Sequence, residues 1–138
     1  MTALPSHAQV VIVGGGIAGA STAYHLAKLG ITDVVLLEQG RLTCGTTWHA
    51  AGLVGQLRAS RNLTELAKYT TWLFEGLEKE TGQATGFAPV GFVELAADED
   101  RLEEYRRVAA VNRLWGVEVE EISPREVDEV LLDHPAVA

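Results

Sequence analysis

The chain has 138 residues, 47% of them apolar, with a formal charge of −8 and a single cysteine. That is enough for one ordinary domain with a core of its own. The negative balance, with no basic stripe along the chain, excludes a nucleic-acid backbone as partner, because such a surface repels phosphates.

The opening stretch, MTALPSHAQ, has no Arg or Lys and no apolar run, so it is read as neither a secretory nor a transit signal. Gln9–Val13 is β-branched and apolar, ends at Gly14, and predicts a buried parallel strand. It is strand length, far from the ~20 residues of a bilayer span, and no membrane span is expected elsewhere. From Ile17 the pattern turns helical, with Ala20, Ala23, Leu26 and Ala27 on one face and Gly30 placed to end the helix. Asp33–Glu38 predicts a second buried strand, completing a βαβ unit.

Residues 40–60 are rich in Gly, Thr and small side chains without a sustained period, and read as a long ordered loop of functional type. Asn62–Glu80 is helical again, with Leu63, Leu66, Ala67, Thr70, Phe74 and Leu77 at core spacing and Thr81-Gly82 as its stop. Gly91–Ala96 and Val117–Ile122 are expected strands. Between them Asp98 can N-cap a helix that presents Leu102, Tyr105, Val108 and Ala109. Ser123-Pro124-Arg125-Glu126 has the N-cap Ser, first-turn Pro and Glu of a capping box, so a short helix should follow. The fold class is therefore α/β: a Rossmann-like βαβ unit, then helices and an incomplete α+β part. The expected division is 1–60, 61–86 and 87–138.

Gly14-Gly15-Gly16-Ile17-Ala18-Gly19 matches G-x-G-x-x-G between a predicted strand and a predicted helix, with the acid Glu38 ending the next strand. Gly14 permits the tight turn, and Gly16 leaves room for a pyrophosphate on the helix N-terminus, beside Ile17 and Ala18. Gly19 lets the helix approach the strand, and Glu38 is placed to bind ribose hydroxyls and to disfavour a 2′-phosphate. The motif alone leaves NAD and FAD both open.

Residues 38–57, and within them Thr43-Cys44-Gly45-Thr46-Thr47-Trp48-His49-Ala50-Ala51-Gly52-Leu53, resemble the D-amino-acid-oxidase-like superfamily of FAD enzymes. They are most similar to its sarcosine and dimethylglycine dehydrogenase branch, and Val54–Arg58 leans to the sarcosine type. The similarity runs over roughly residues 9–125. It implies FAD as cofactor, with Gln39, Arg41, Gly45, Thr46 and Thr47 along it, Ala51, Gly52 and Leu53 near its ring, and covalent attachment through His49. The implied reaction is oxidation of an N-methyl amine substrate by hydride transfer to the flavin. A folate or an electron acceptor would be a partner through regions this chain lacks.

Cys44 stands where serine is expected in that family, and residues 128–138 depart from its Pro-Leu-Leu-type continuation. The chain is accordingly read as an N-terminal fragment, inactive on its own. Two alternatives stay open here: a non-catalytic nucleotide-binding module, and an ordinary NAD-dependent dehydrogenase. The single cysteine fits a reducing compartment and the expected location is cytoplasmic; Cys44 itself is expected to be half-buried packing. His7, His25 and His134 are read as solvated or packing residues, no cluster has metal-ligand spacing, and no catalytic residue is assigned.

Overall fold

A computed structural model describes residues 5–132 of the chain. His134 and the rest of residues 133–138 lie outside the described residues, while 128–132 belong to the last helix. The chain divides into two compact units, one running to Leu53 and the other from Val54.

The first unit is the expected βαβ. Strand β1 (Val10–Val13) pairs in parallel with β2 (Val34–Leu37), Val10 opposite Val34 and Val13 opposite Leu37. The ladder runs on at both ends, from the Val10 N–H to the Asp33 carbonyl at 3.2 Å and from the Gly14 N–H to the Leu37 carbonyl at 2.7 Å. Helix α1 (Ile17–Lys28) crosses between them. It stops where glycine allows: Gly30 has φ +83° and its N–H reaches Ala27, while the Ile31 N–H reaches Leu26. These two bonds are the pair of a Schellman motif.

The expectation of buried strands is corrected. Val11 and Val13 are 55% and 83% exposed, and β1 alternates between half-buried and exposed positions. A parallel sheet is buried only when layers cover both faces. Within the first unit α1 packs on both strands, and Val11 and Val13, which alternate with its half-buried neighbours, stay exposed. On α1, Ala20 and Ala27 are exposed, while Ala23 and Leu26 are half-buried.

The second unit holds α2 (Arg61–Thr81), α3 (Glu99–Leu114) and α4 (Pro124–Leu132). Asp98 caps α3 by accepting from the Arg101 N–H at 2.8 Å. Ser123 and Glu126 form the capping box of α4, with the Ser123 N–H on Glu126 Oε2 at 2.6 Å and the Glu126 N–H on Ser123 Oγ at 3.4 Å. Gly82, at φ +73°, ends α2.

The inward face of α2 follows the expected one at Ala67, which is buried, and at Thr70, Phe74 and Leu77, which are half-buried, and differs from it in the first turns. Thr64 and Ala67 are buried, whereas Leu63 and Leu66 are exposed. Thr64 turns inward because its hydroxyl donates to Asn112 Oδ1 at 2.9 Å. Asn112 in turn donates to the carbonyls of Arg58 and Val108, at 2.9 and 2.8 Å. A fully satisfied polar knot thus sits where an apolar stripe was expected.

Gly91–Ala96 and Val117–Ile122 are not strands. A strand exists only through its ladder, and neither run finds a partner among the described residues. The second run is held to α3 by side chains instead: Arg113 Nε donates to the Val119 carbonyl at 2.8 Å, and Arg106 bonds both Glu121 oxygens. No helix among the described residues is long and apolar enough to cross a membrane.

Candidate cofactor-binding site

The site grows from the carboxyl ends of β1 and β2, where a parallel sheet leaves its backbone free to turn. Gly14 has φ +103°, a value that side-chain-bearing residues rarely adopt, so the chain leaves β1 sharply. A Cβ on Gly19 would overlap the Gly14 carbonyl and lie 3.3 Å from Ile12 Cγ2. The bare Gly19 is therefore what lets α1 close onto the turn. Gly16 is the N-cap of α1 and supplies no side-chain cap, and the first turn of the helix holds no acid. Free N–H groups and an uncompensated positive helix end suit an anion.

Glu38 completes the turn from below. Its Oε2 accepts from the Gly15 N–H at 2.7 Å and its Oε1 from the Gly40 N–H at 2.9 Å. The Gly15 N–H first, and the Gly40 N–H after it, hold the carboxyl below its ordinary value. Glu38 was expected to face ribose hydroxyls, and its first duty is to the backbone. Each carboxylate oxygen keeps a second lone pair for such hydroxyls.

The following loop is fastened over the same turn. The Thr43 N–H donates to the Gly15 carbonyl at 3.0 Å, and Thr47 Oγ1 accepts from the Ile17 N–H at 2.9 Å. Thr46–His49 forms a short 3-10 helix with Gly45 before it, in a stretch read from sequence as plain loop. Gly14, Gly16, Ile17, Glu38, Gly45, Thr46, Thr47 and His49 are thus brought together. Gln39, Arg41, Ala51, Gly52 and Leu53 run along the exposed surface of the first unit. Cys44 is exposed as well, not half-buried.

His49 Nδ1 lies 2.9 Å from the Gly45 carbonyl oxygen. A carbonyl only accepts, so Nδ1 donates, and in the neutral ring this tautomer puts the lone pair on Nε2.

Two contributors were missed in the sequence. Gly15 occupies a variable position of the motif, yet a Cβ there would come within 2.5 Å of Leu42 Cδ2 and 3.2 Å of Glu38 Oε2. Its signal was present as a glycine where the pattern does not ask for one. Thr43 adopts φ +66°, rare for a β-branched residue, and no sequence pattern announces it.

Residues 9–136 match the model of the family described as FAD dependent oxidoreductase. The chain belongs to that family. It is 48% identical to human sarcosine dehydrogenase, mitochondrial, over 124 residues, which is 89% of this chain and 14% of that protein. It is 46% identical to the mouse pyruvate dehydrogenase phosphatase regulatory subunit, mitochondrial, over 133 residues, 96% of this chain and 15% of that one. Rat dimethylglycine dehydrogenase, mitochondrial, is 42% identical over 123 residues, covering 89% and 14%. Among solved structures, L-proline dehydrogenase from P. horikoshii superposes with a TM-score of 0.85 at 26% identity, covering 94% of this chain and 34% of that one. The chain therefore spans about a seventh of the length of the curated relatives it matches.

The residues present fit FAD. The α1 N-terminus, with no acid in its first turn and no side chain on its N-cap Gly16, suits its pyrophosphate, and the Glu38 carboxylate matches ribose hydroxyls while repelling a further phosphate.

Proposed function

We propose that this chain is the FAD-holding part of an amine oxidoreductase acting on N-methyl amino acids of the sarcosine or dimethylglycine type. Bound FAD supplies the two-electron acceptor for carbon–nitrogen oxidation, and the chain supplies binding and orientation. The observation that carries the reading is the fastening of residues 41–49 over the glycine turn through Glu38, Thr43 and Thr47. A plain NAD unit has no use for such a loop. Similarity to the sarcosine and dimethylglycine dehydrogenases supports the substrate class.

His49 is the proposed attachment point of the flavin. Its Nδ1–H is held by Gly45, which leaves Nε2 as the nucleophilic atom. The folate or acceptor partner belongs, in this reading, to the rest of a longer protein.

The test is acid precipitation of the full-length holoprotein, followed by reduction with sarcosine, dimethylglycine and non-methylated glycine under anaerobic conditions. Yellow colour should stay with the polypeptide, His49→Ala should release it, and the two N-methyl amines should bleach it. Colour lost to the supernatant from the wild type would remove the covalent bond, and no bleaching by either amine would remove the substrate class. The likeness to a phosphatase regulatory subunit favours a second reading, a flavin-binding module without turnover. That reading predicts bound flavin that no amine reduces.

A further inference from the structure

The loop that follows β2 is tied to the glycine turn at three places, and they do not hold equal lengths of chain. Glu38 fixes its start, through Gly15 and Gly40, and Thr43 fixes its middle through the Gly15 carbonyl. Thr47 makes the last tie, from its Oγ1 to the Ile17 N–H thirty positions earlier in the chain. Around and beyond it, among the described residues up to Leu53, the backbone bonds stay within the loop: the Ala50 N–H meets the Thr47 carbonyl at 3.2 Å, and the Trp48 N–H meets the Thr43 and Gly45 carbonyls, each at 3.1 Å. The His49 ring bonds Gly45, also inside the turn. The turn that carries His49 is thus held at two points, through Thr43 to the Gly15 carbonyl and through Thr47 to the Ile17 N–H, and Thr47 is the tie that reaches α1 itself.

The same bond answers a need of the helix. Gly16 gives α1 no side-chain cap, and the Ile17 N–H is one of the donors a helix start leaves without an internal partner. Side-chain oxygens that cap helices ordinarily come from the residue next to the start. Here the oxygen arrives from the far side of a loop. The bare Gly16 gives it room, since a Cβ built there would stand 3.0 Å from Thr47 Oγ1, close enough that the hydroxyl would have to shift by a few tenths of an ångström.

We propose that Thr47 is a positioning residue: by capping α1 across the loop it sets the 3-10 turn, and with it the His49 imidazole, against the glycine turn before any cofactor arrives. The hydroxyl does this work, and the methyl group is dispensable. This rests on the FAD reading for its consequence but not for its geometry, and the two are measured separately.

The experiment compares wild type, Thr47→Val and Thr47→Ser of the full chain, without cofactor and then with FAD. Hydrogen–deuterium exchange of the apoprotein reads the Ile17 amide through peptides spanning residues 14–20, with far-UV dichroism to confirm that α1 is intact. Thr47→Val, equal in shape but lacking the donor's acceptor, should speed exchange there by about five- to tenfold, the worth of one neutral hydrogen bond. Thr47→Ser should match the wild type. A fluorescence titration with FAD should then show weaker binding in Thr47→Val by a similar factor and near-normal binding in Thr47→Ser. Unchanged exchange in Thr47→Val overturns the cap. Faster exchange with unchanged FAD affinity overturns the positioning role. If the wild type itself takes up no FAD, the FAD reading falls, while the exchange comparison still decides the cap.

Discussion

Glu38 shows how one side chain serves both the fold and the site. Its two oxygens join the backbone of the glycine turn to the start of the next loop, across 23 residues of sequence in one case and two in the other. Those bonds favour the ionised form and depress its pKa, with Gly15 as the larger cause. The sign follows directly. A carboxyl whose folded pKa lies below its unfolded one contributes stability above the unfolded value, and that contribution is lost as pH falls through the folded value. The gap in urea midpoint between wild type and Glu38→Gln should be constant from neutral pH down to about pH 5, then close below the ordinary carboxylate value of 4.5. A gap that keeps its full size at pH 3 would mean the carboxylate is not what holds the turn. The same substitution to alanine should weaken FAD by roughly ten- to a hundredfold, the range for bonds to a charged acceptor. The acid at the end of β2 was legible in the sequence because the motif demands it there. Its second role was not, because which backbone N–H a carboxylate reaches depends on the path of a loop with no period.

At the scale of elements, β1, α1, β2 and the caps of α3 and α4 were all readable, since each rests on local chemistry: β-branched runs, a glycine exit, an Asp or Ser before a helical stretch. The failures share one cause. Whether Leu63 or Thr64 faces inward, or whether Val117–Ile122 is a strand, depends on what lies opposite, and periodicity cannot report that. Asn112 did leave a trace, a polar residue four positions after Val108 and three after Ala109 on the apolar face of α3. It is fully buried and binds Thr64, Arg58 and Val108. Asn112→Ala should leave the Thr64 hydroxyl and the Arg58 carbonyl with only their long mutual contact of 3.5 Å and destabilise the second unit by about 1–3 kcal/mol in urea. A loss under about 0.5 kcal/mol would show that water replaces the amide without penalty. Gly19→Ala sets two effects against each other. Alanine favours a helix by about 1 kcal/mol over glycine. The new methyl, however, collides with the Gly14 carbonyl, a backbone atom that cannot swing aside, and overpacking of this kind costs about 1–3 kcal/mol. The net should be destabilising, and a more stable Gly19→Ala would mean that α1 does not sit this close to the turn.

Across the whole molecule, the described residues include just two buried apolar side chains, Ala67 and Val117, while large ones such as Val13, Leu114 and Trp48 stand in solvent. A chain that matches about a seventh of its relatives' length presents surface that their remaining residues have the opportunity to cover. On their own, these 138 residues should bind a hydrophobic dye and self-associate; a monomer that binds no dye would show that the apolar faces are satisfied within the chain. The central claim, however, is that the glycine turn and its fastened loop hold FAD, and one titration addresses it. Wild-type protein and Gly16→Val are titrated with FAD by fluorescence, with far-UV dichroism recorded for both. A branched side chain at Gly16 stands in the approach to the α1 N-terminus and against Thr47, while the helix begins only at Ile17. The wild type should bind FAD, and Gly16→Val should bind it more than about tenfold more weakly with the same dichroism. Equal affinity in the two proteins would place the phosphates elsewhere and contradict the account.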